Sequence, residues 1–449
     1  MQASKHPRKA CDLCYTRKIK CDGQQPLRKW KPKAQHDGES RKDDEIRGLQ
    51  TQMKELQDQL DQYRQTENII ITSKPPPQAE FQDDHAQVGK VRNSMKLPPL
   101  EQTMHMIGIF LNTVNAVLPL FHTDNLLCLV GETYALQSRQ RDPVAWAAIN
   151  VVLAMTRQQI PEGNGMDSQY GTTKDYLNKA QSVLWAITLG ETRLLNVQTL
   201  VGMAMLLQTG HDTTPALVII SAAMRLVHKM GLHNRLFSEH LGLVERKQHA
   251  RVFWLAYIVD KDLSIRAQQP SVQVDDDIDL EFPMSTDLFE DRAGIITTVD
   301  GNSSIDYFLS RVQLAHIQGD IYDHLYSTRA WKRSPEERRL KREAILLALN
   351  NWKASITSDF GAANVIMTTN DNPSAGAFFC VLHTTSLLCL MLITRAHGWD
   401  EQWVGVLRDL GRRHGDIQLP NDWKVMVGQA RDFMVLFEHV CVRHHWLKW

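Results

Sequence analysis

From about Leu97 to Trp449 the chain is a succession of apolar stretches whose hydrophobic residues recur at steps of three and four, with no convincing two-residue alternation. That rhythm predicts helices and an all-α body. Three of them are sharply punctuated. "VQTLVGMAMLLQTG" predicts a helix over 197–209 that stops at Gly210. "TTPALVIISAAMRLVHKMG" predicts one over 215–230, with Thr214 as N-cap, Pro215 in the first turn, Lys229 in the last and Gly231 just beyond. Both are apolar nearly all round, which puts them inside a multi-helix core. "ERKQHARVFWLAYIVDKDLSIRAQQPS" predicts a third buried helix over 249–266, with Asp260, Lys261, Asp262 and Arg266 following its aromatic block and Pro270 closing it. A helix from Trp423 towards the C-terminus should turn Val425, Phe433 and Leu436 inward and leave Lys424 and Arg431 exposed.

Ahead of this body the pattern changes twice. In "DEIRGLQTQMKELQDQLDQYRQTE", residues 44–67, Ile46, Leu49, Met53, Leu56, Leu60 and Tyr63 fall on the a and d positions of three heptads, which predicts a short coiled coil. The flanking Gln50, Gln52, Gln57, Gln59 and Arg64 are mostly neutral, so they neither forbid self-pairing nor strongly enforce it. Residues 68–96, with "KPPPQ" and few apolar groups, read as a linker. Residues 1–36 have no core-forming periodicity and need a metal or a partner to become ordered. The expected organisation is therefore 1–36 a small basic module, 37–67 linker and dimerisation helix, 68–96 linker, and 97–449 a helical domain.

Charge sharpens this division. The chain is formally neutral, yet residues 1–35 hold ten Lys and Arg against Asp12 and Asp22, so the basic charge is concentrated at one end. Seven cysteines, three of them clustered near the N-terminus, do not resemble a disulfide framework and point to a reducing compartment. "MQASKHPRKA" is not followed by an apolar segment, so no secretory leader is expected. The run Ala375–Thr394 is of borderline length for a bilayer and contains His383, Thr384, Thr385 and Ser386; it reads as a buried core helix, and no membrane partner is expected. "RKIK" and "KWKPK" have the character of nuclear import signals, which favours the nucleus.

The N-terminal "CDLCYTRKIKCDGQQP" resembles the first half of the binuclear cluster of fungal Zn(II)2Cys6 transcription factors. "ARVFWLAYIVDKDLSIRAQQPSVQVDDDIDLEFP" resembles the signature of their fungal-specific regulatory domain, and "LNTVNAVLPLFH" resembles its usual start. The order of zinc cluster, basic linker, coiled coil and large helical domain also matches. The resemblance implies a transcription regulator of RNA polymerase II genes in a fungus, not an enzyme, which works with the transcription machinery and reads CGG-type half-sites of double-stranded DNA as a homodimer. By the same resemblance Cys11, Cys14 and Cys21 are zinc ligands. Lys18 reaches guanine O6 and N7, with Arg17 beside it and Lys20 among the cations facing phosphate.

The pattern breaks after Pro26. The family continues with a second CxxC and a sixth cysteine, because six thiolates hold two Zn²⁺ in closed tetrahedra; here the text reads "LRKWKPKAQHDGE" and the next cysteine is Cys128. This chain is expected to bind fewer than two zincs, the best single site borrowing His6 or His36. Hence a second reading, an interaction protein impaired in DNA binding that acts through its coiled coil and helical body. A more distant one comes from "DDDID" at Asp275–Asp279, which satisfies the DDxxD pattern of all-helical isoprenoid synthases, although the flanking prolines place it in a loop and no second metal motif accompanies it. Near the C-terminus Cys441 and His445 stand one helical turn apart, a spacing that suits a metal or merely a helix end.

Overall fold

The computed structural model describes residues 95–160, 171–283, 293–369, 373–396, 408–409 and 421–441, together with Lys54. From Met95 onward these belong to one compact unit, Asp83–Trp449. As the periodicity requires, the described residues of the unit are predominantly helical.

Its first half is built on α1 (Leu100–Asn112), α2 (Thr123–Ala135), α3 (Pro143–Gln159), α4 (Thr173–Gln181), α5 (Leu194–Leu207) and α6 (Thr214–Lys229). Helix α3 is started by Asp142, whose carboxylate accepts from Val144 N at 3.2 Å, with Pro143 in the first turn. Every side chain from Val144 to Thr156 is buried, so α3 is wrapped on all sides, with α1, α4 and α5 packed around it. The closest approach needs a glycine: a Cβ on Gly202 of α5 would sit 2.5 Å from Val151 Cγ1.

Helix α5 is buried all round as expected, but α6 is not. Its inner face is Ala216, Ile219, Ile220, Ala223, Met224 and Val227, while Val218 is 62% exposed. The apolar content of α6 overstated its burial because Val218 lies off the core stripe and Leu217 is only partly buried against it. Its punctuation shifts by one residue at the start, where the helix begins at Thr214 and the carboxylate of Asp212 accepts from Thr214 N at 2.9 Å. The end is as expected: Gly231 has φ +67, Leu232 N donates to Val227 O and Gly231 N to His228 O, a Schellman motif.

The second half is organised by α7 (Leu243–Arg266), buried from Val252 to Ile265 and packed against α5, α6 and α8 (Tyr307–Ile321). Between α7 and α8 lies a two-stranded antiparallel hairpin that the helical reading did not anticipate, β1 (Ile295–Thr297) and β2 (Ser304–Asp306). Its signal is Asp300–Gly301 between short β-prone runs: Gly301 takes φ +72, and the Asp300 carboxylate accepts from Thr298 Oγ1 and Asn302 N. Helices α9 (Pro335–Ser355), α10 (Pro373–Arg395) and α11 (Asn421–Cys441) complete the unit.

Ala375–Arg395 of α10 is long and apolar enough to cross a membrane by length and composition, but α8, α9 and α11 pack against it. Its threonines are satisfied within the helix, Thr384 and Thr385 donating to Cys380 O and Val381 O. On α11 the inward face is Met426, Phe433, Leu436, Phe437 and Val440. Val425 is 52% exposed, against expectation, because it sits one position off that stripe; Lys424 and Arg431 are exposed as expected.

Candidate functional site

The polar chemistry of the domain is concentrated around the C-terminal half of α7. Asp260, Lys261 and Asp262 follow one another in the Val252–Ile265 stretch of the helix, which is buried on all faces, and all three are buried. Each is satisfied by a different element. Asp260 accepts from Val272 N at 3.2 Å and Gln273 N at 3.0 Å; burial raises its pKa, and those two amides offset the rise only in part. Lys261 Nζ reaches Ser271 Oγ at 2.9 Å, Gln273 O at 3.0 Å and Asp275 Oδ1 at 2.7 Å, which uses its three protons. Asp262 accepts from Gln318 Nε2 at 2.9 Å and lies 3.6 Å from Arg266 Nη1.

Asp275 is the hinge pin of this cluster. Besides Lys261 it takes the Tyr257 hydroxyl at 3.1 Å and His316 Nδ1 at 3.1 Å, both on Oδ2. Burial alone would raise its pKa, but the His316 hydrogen bond and the Lys261 charge overcome that and hold it below the ordinary carboxylate range. The same hydrogen bond from Asp275 raises His316. Gly319 on α8 gives the cluster room, since a Cβ there would sit 3.0 Å from Lys261 Nζ and 3.1 Å from Asp275 Oδ2. The arrangement straps the segment 271–277 across α7 and α8. It is a structural clamp whose ligands are already supplied by the protein.

Beside the clamp, α3, α5, α7, α8 and α10 enclose a cavity of about 260 Å³. Met155, Met205, Leu255, Val259, Phe378 and Val381 form its apolar wall, and Asp262, Arg266 and Arg311 contribute charge. Tyr307, also on the wall, donates its hydroxyl to Phe378 O at 2.8 Å.

Against the sequence expectations the outcome is mixed. Cys11, Cys14, Cys21, Arg17, Lys18 and Lys20, and the seam residues Ile46, Leu49, Met53, Leu56, Leu60 and Tyr63, lie outside the described residues. So does His445, while Cys441 Sγ lies 3.5 Å from Glu438 O, its own helix. The isoprenoid-synthase reading of Asp275–Asp279 is overturned. Asp275 is spent on Lys261 and His316; Asp276, Asp277 and Asp279 are exposed; and the run is a short 3-10 turn with Asp279 bridged to Asn234, not a helix face presenting two carboxylates to magnesium. No group of three or more His, Cys, Asp or Glu suited to a metal occurs among the described residues. What sequence reasoning missed is Arg311 and the cavity. The available signal was an arginine inside "YFLSRVQLAHI", a helical stretch with few other charges.

The fold is that of a large all-helical domain, with its polar cluster satisfied from within. Residues 107–354 match the Fungal specific transcription factor domain, more than half of the chain, and the protein belongs to that family of fungal transcription regulators, not to the enzymes. Among its relatives are the ABC-transporter-regulating transcription factors of Aspergillus fumigatus and Aspergillus oryzae, 35% and 34% identical over 311 residues, 68% of this chain and 34% of each relative. The Fusaridione A cluster transcription factor fsdR of Fusarium heterosporum is 27% identical over 234 residues, 52% of this chain and 44% of that protein. The matched part thus spans about a third of the length of the two Aspergillus relatives. No solved structure matches the chain.

Proposed function

We propose that the chain is a nuclear regulator of RNA polymerase II genes that works as a homodimer through Ile46–Tyr63 and contacts DNA through its basic N-terminal module. The observation that carries this reading is the run from Cys11 to Cys21, with Arg17, Lys18 and Lys20 inside it, preceding a domain of the fungal transcription factor family. In this reading Lys18 meets the guanine edge of a CGG half-site, Arg17 and Lys20 steady the module on phosphate, and the helical domain meets the transcription machinery. Because two relatives are named as regulating ABC transporters, genes for such transporters are the first candidate targets.

The donor set limits how well this chain can do it. Three thiolates cannot close two tetrahedral zinc sites, and no cysteine stands between Cys21 and Cys128. Rigid presentation of Lys18 depends on that closure, so the chain as written binds DNA through charge, with salt-sensitive affinity on the order of 10⁻⁴ to 10⁻⁶ M and little preference for CGG. The same break favours a second reading, in which the chain pairs with intact partners and blunts their DNA binding. Titration of CGG and scrambled duplexes at two salt concentrations, with zinc content measured alongside, separates the two. Weak, salt-dependent and unselective binding with at most one zinc supports the impaired form; tight CGG-selective binding with two zincs per chain overturns it. Restoring a CxxC and a sixth cysteine after Pro26 should recover selectivity, and Lys18→Ala in that repaired chain should then lose about 1 to 3 kcal/mol against the guanine contact.

A further inference from the structure

The cavity between α3, α5, α7, α8 and α10 carries a buried cation, Arg311, that has no carboxylate partner among the described residues. Arg311 is only 5% exposed, and its one polar partner is neutral, the Thr385 hydroxyl, which accepts from Nη1 at 2.9 Å. Among the described residues no carboxylate lies within ion-pair distance of it. The carboxylate that shares the cavity wall, Asp262, is already engaged by Gln318 at 2.9 Å and Arg266 at 3.6 Å. Nor can nearby acidic groups supply the missing charge. Burial drives the Tyr307 hydroxyl far above its ordinary pKa and pushes the Cys389 thiol up to about 12, so both stay neutral.

A guanidinium cannot shed its proton to escape burial, and a buried charge without a counter-charge costs several kcal/mol. Proteins tolerate that where a ligand completes the pair. The remaining wall says what else that ligand must be. Met155, Met205, Leu255, Val259, Phe378 and Val381 offer an apolar surface with two flexible methionines, suited to an aliphatic body. At about 260 Å³ the space is below the usual lower bound of roughly 300 Å³ for ligand pockets, so the guest is small.

We propose that this cavity binds a small amphipathic carboxylic acid, its apolar chain among the methionines and valines and its carboxylate paired with Arg311. Because five helices of the regulatory domain meet there, an occupant would tie them together, and the site is independent of how the chain reads DNA. Decanoate, decanamide and decylamine, equal in chain length and different in charge, are titrated into the purified full-length chain by calorimetry, with thermal unfolding in parallel. Decanoate should bind at one saturable site and raise the unfolding temperature, the amide should bind about tenfold more weakly, and the amine should not bind. Arg311→Gln should reduce decanoate affinity at least about tenfold and leave the amide unchanged. Should that variant not fold, Met205→Trp fills the cavity without touching the charge and should abolish decanoate binding. Equal binding of acid and amide, unchanged decanoate binding by Arg311→Gln or by Met205→Trp, or no saturable decanoate binding overturns the proposal.

Discussion

Lys261 is the residue on which the second half of the domain turns. Its three protons are divided among Ser271, Gln273 and Asp275, so removing the amine strands a largely buried carboxylate as well as two oxygens. Lys261→Met should therefore lower stability by about 3 to 5 kcal/mol in denaturant titrations, and adding Asp275→Asn should restore part of it. The neighbouring His316 makes the clamp pH-dependent. Its pKa is raised by the Asp275 hydrogen bond, so its contribution is complete below the ordinary histidine value of 6.5 and fades as pH rises through the raised folded value. Asp275 is lowered from 3.8, so its contribution is complete above that value and fades as pH falls through the depressed one. His316→Gln should accordingly destabilise the chain more at about pH 6 than at about pH 8.5; equal losses at both would show that the pair is not charged in the fold. The acidic run was visible in the sequence but its partner was not, because pairing Asp275 with Lys261 and His316 requires the loop to fold back over α7 and α8, and no local pattern encodes that return.

At the scale of elements, what could be read was set by local backbone chemistry. Gly231 announced its Schellman motif, and the "FWLAYIV" block announced a helix without a wet face. The hairpin was missed although Asp300–Gly301 marks it, since three-residue strands give too little alternation to count. The end of α7 shows a device no glycine advertises: Gln268 holds φ +55 while Gln269 N donates to Ser264 O and Gln268 N to Ile265 O. A side chain pays for that left-handed geometry, and relief exceeds the added chain entropy, so Gln268→Gly should raise stability by about 0.5 kcal/mol. Gly319 behaves in the opposite sense. Alanine is intrinsically the better helix former by about 1 kcal/mol, but here its methyl meets Lys261 Nζ at 3.0 Å, and that amine is pinned by three acceptors. Gly319→Ala should thus destabilise, by about 1 kcal/mol or more, and a gain in thermal stability would mean that the clamp is looser than its geometry.

For the whole molecule, the compact unit Asp83–Trp449 begins beyond the heptad seam, so association and the stability of the helical body should be separable. The seam is an expectation drawn from a local repeat, Ile46 to Tyr63 in steps of three and four; the cavity was not legible, because its wall is assembled from five helices distant in sequence. A charge placed at Leu56 would be buried between two paired helices without a partner, at a cost several times the stability that three short heptads supply. Leu56→Glu in the full-length chain should convert dimer to monomer in sedimentation equilibrium while the melting of the helical body keeps its midpoint. The neutral glutamines beside the seam add a second constraint, since association without flanking ion pairs should change little between low and high salt. If the wild-type chain sediments as a monomer at high concentration, the seam is a solvent-exposed amphipathic helix. If Leu56→Glu remains dimeric, the contact between copies belongs to the helical body, and the exposed Met434 and Val435 of α11 become the place to look for it.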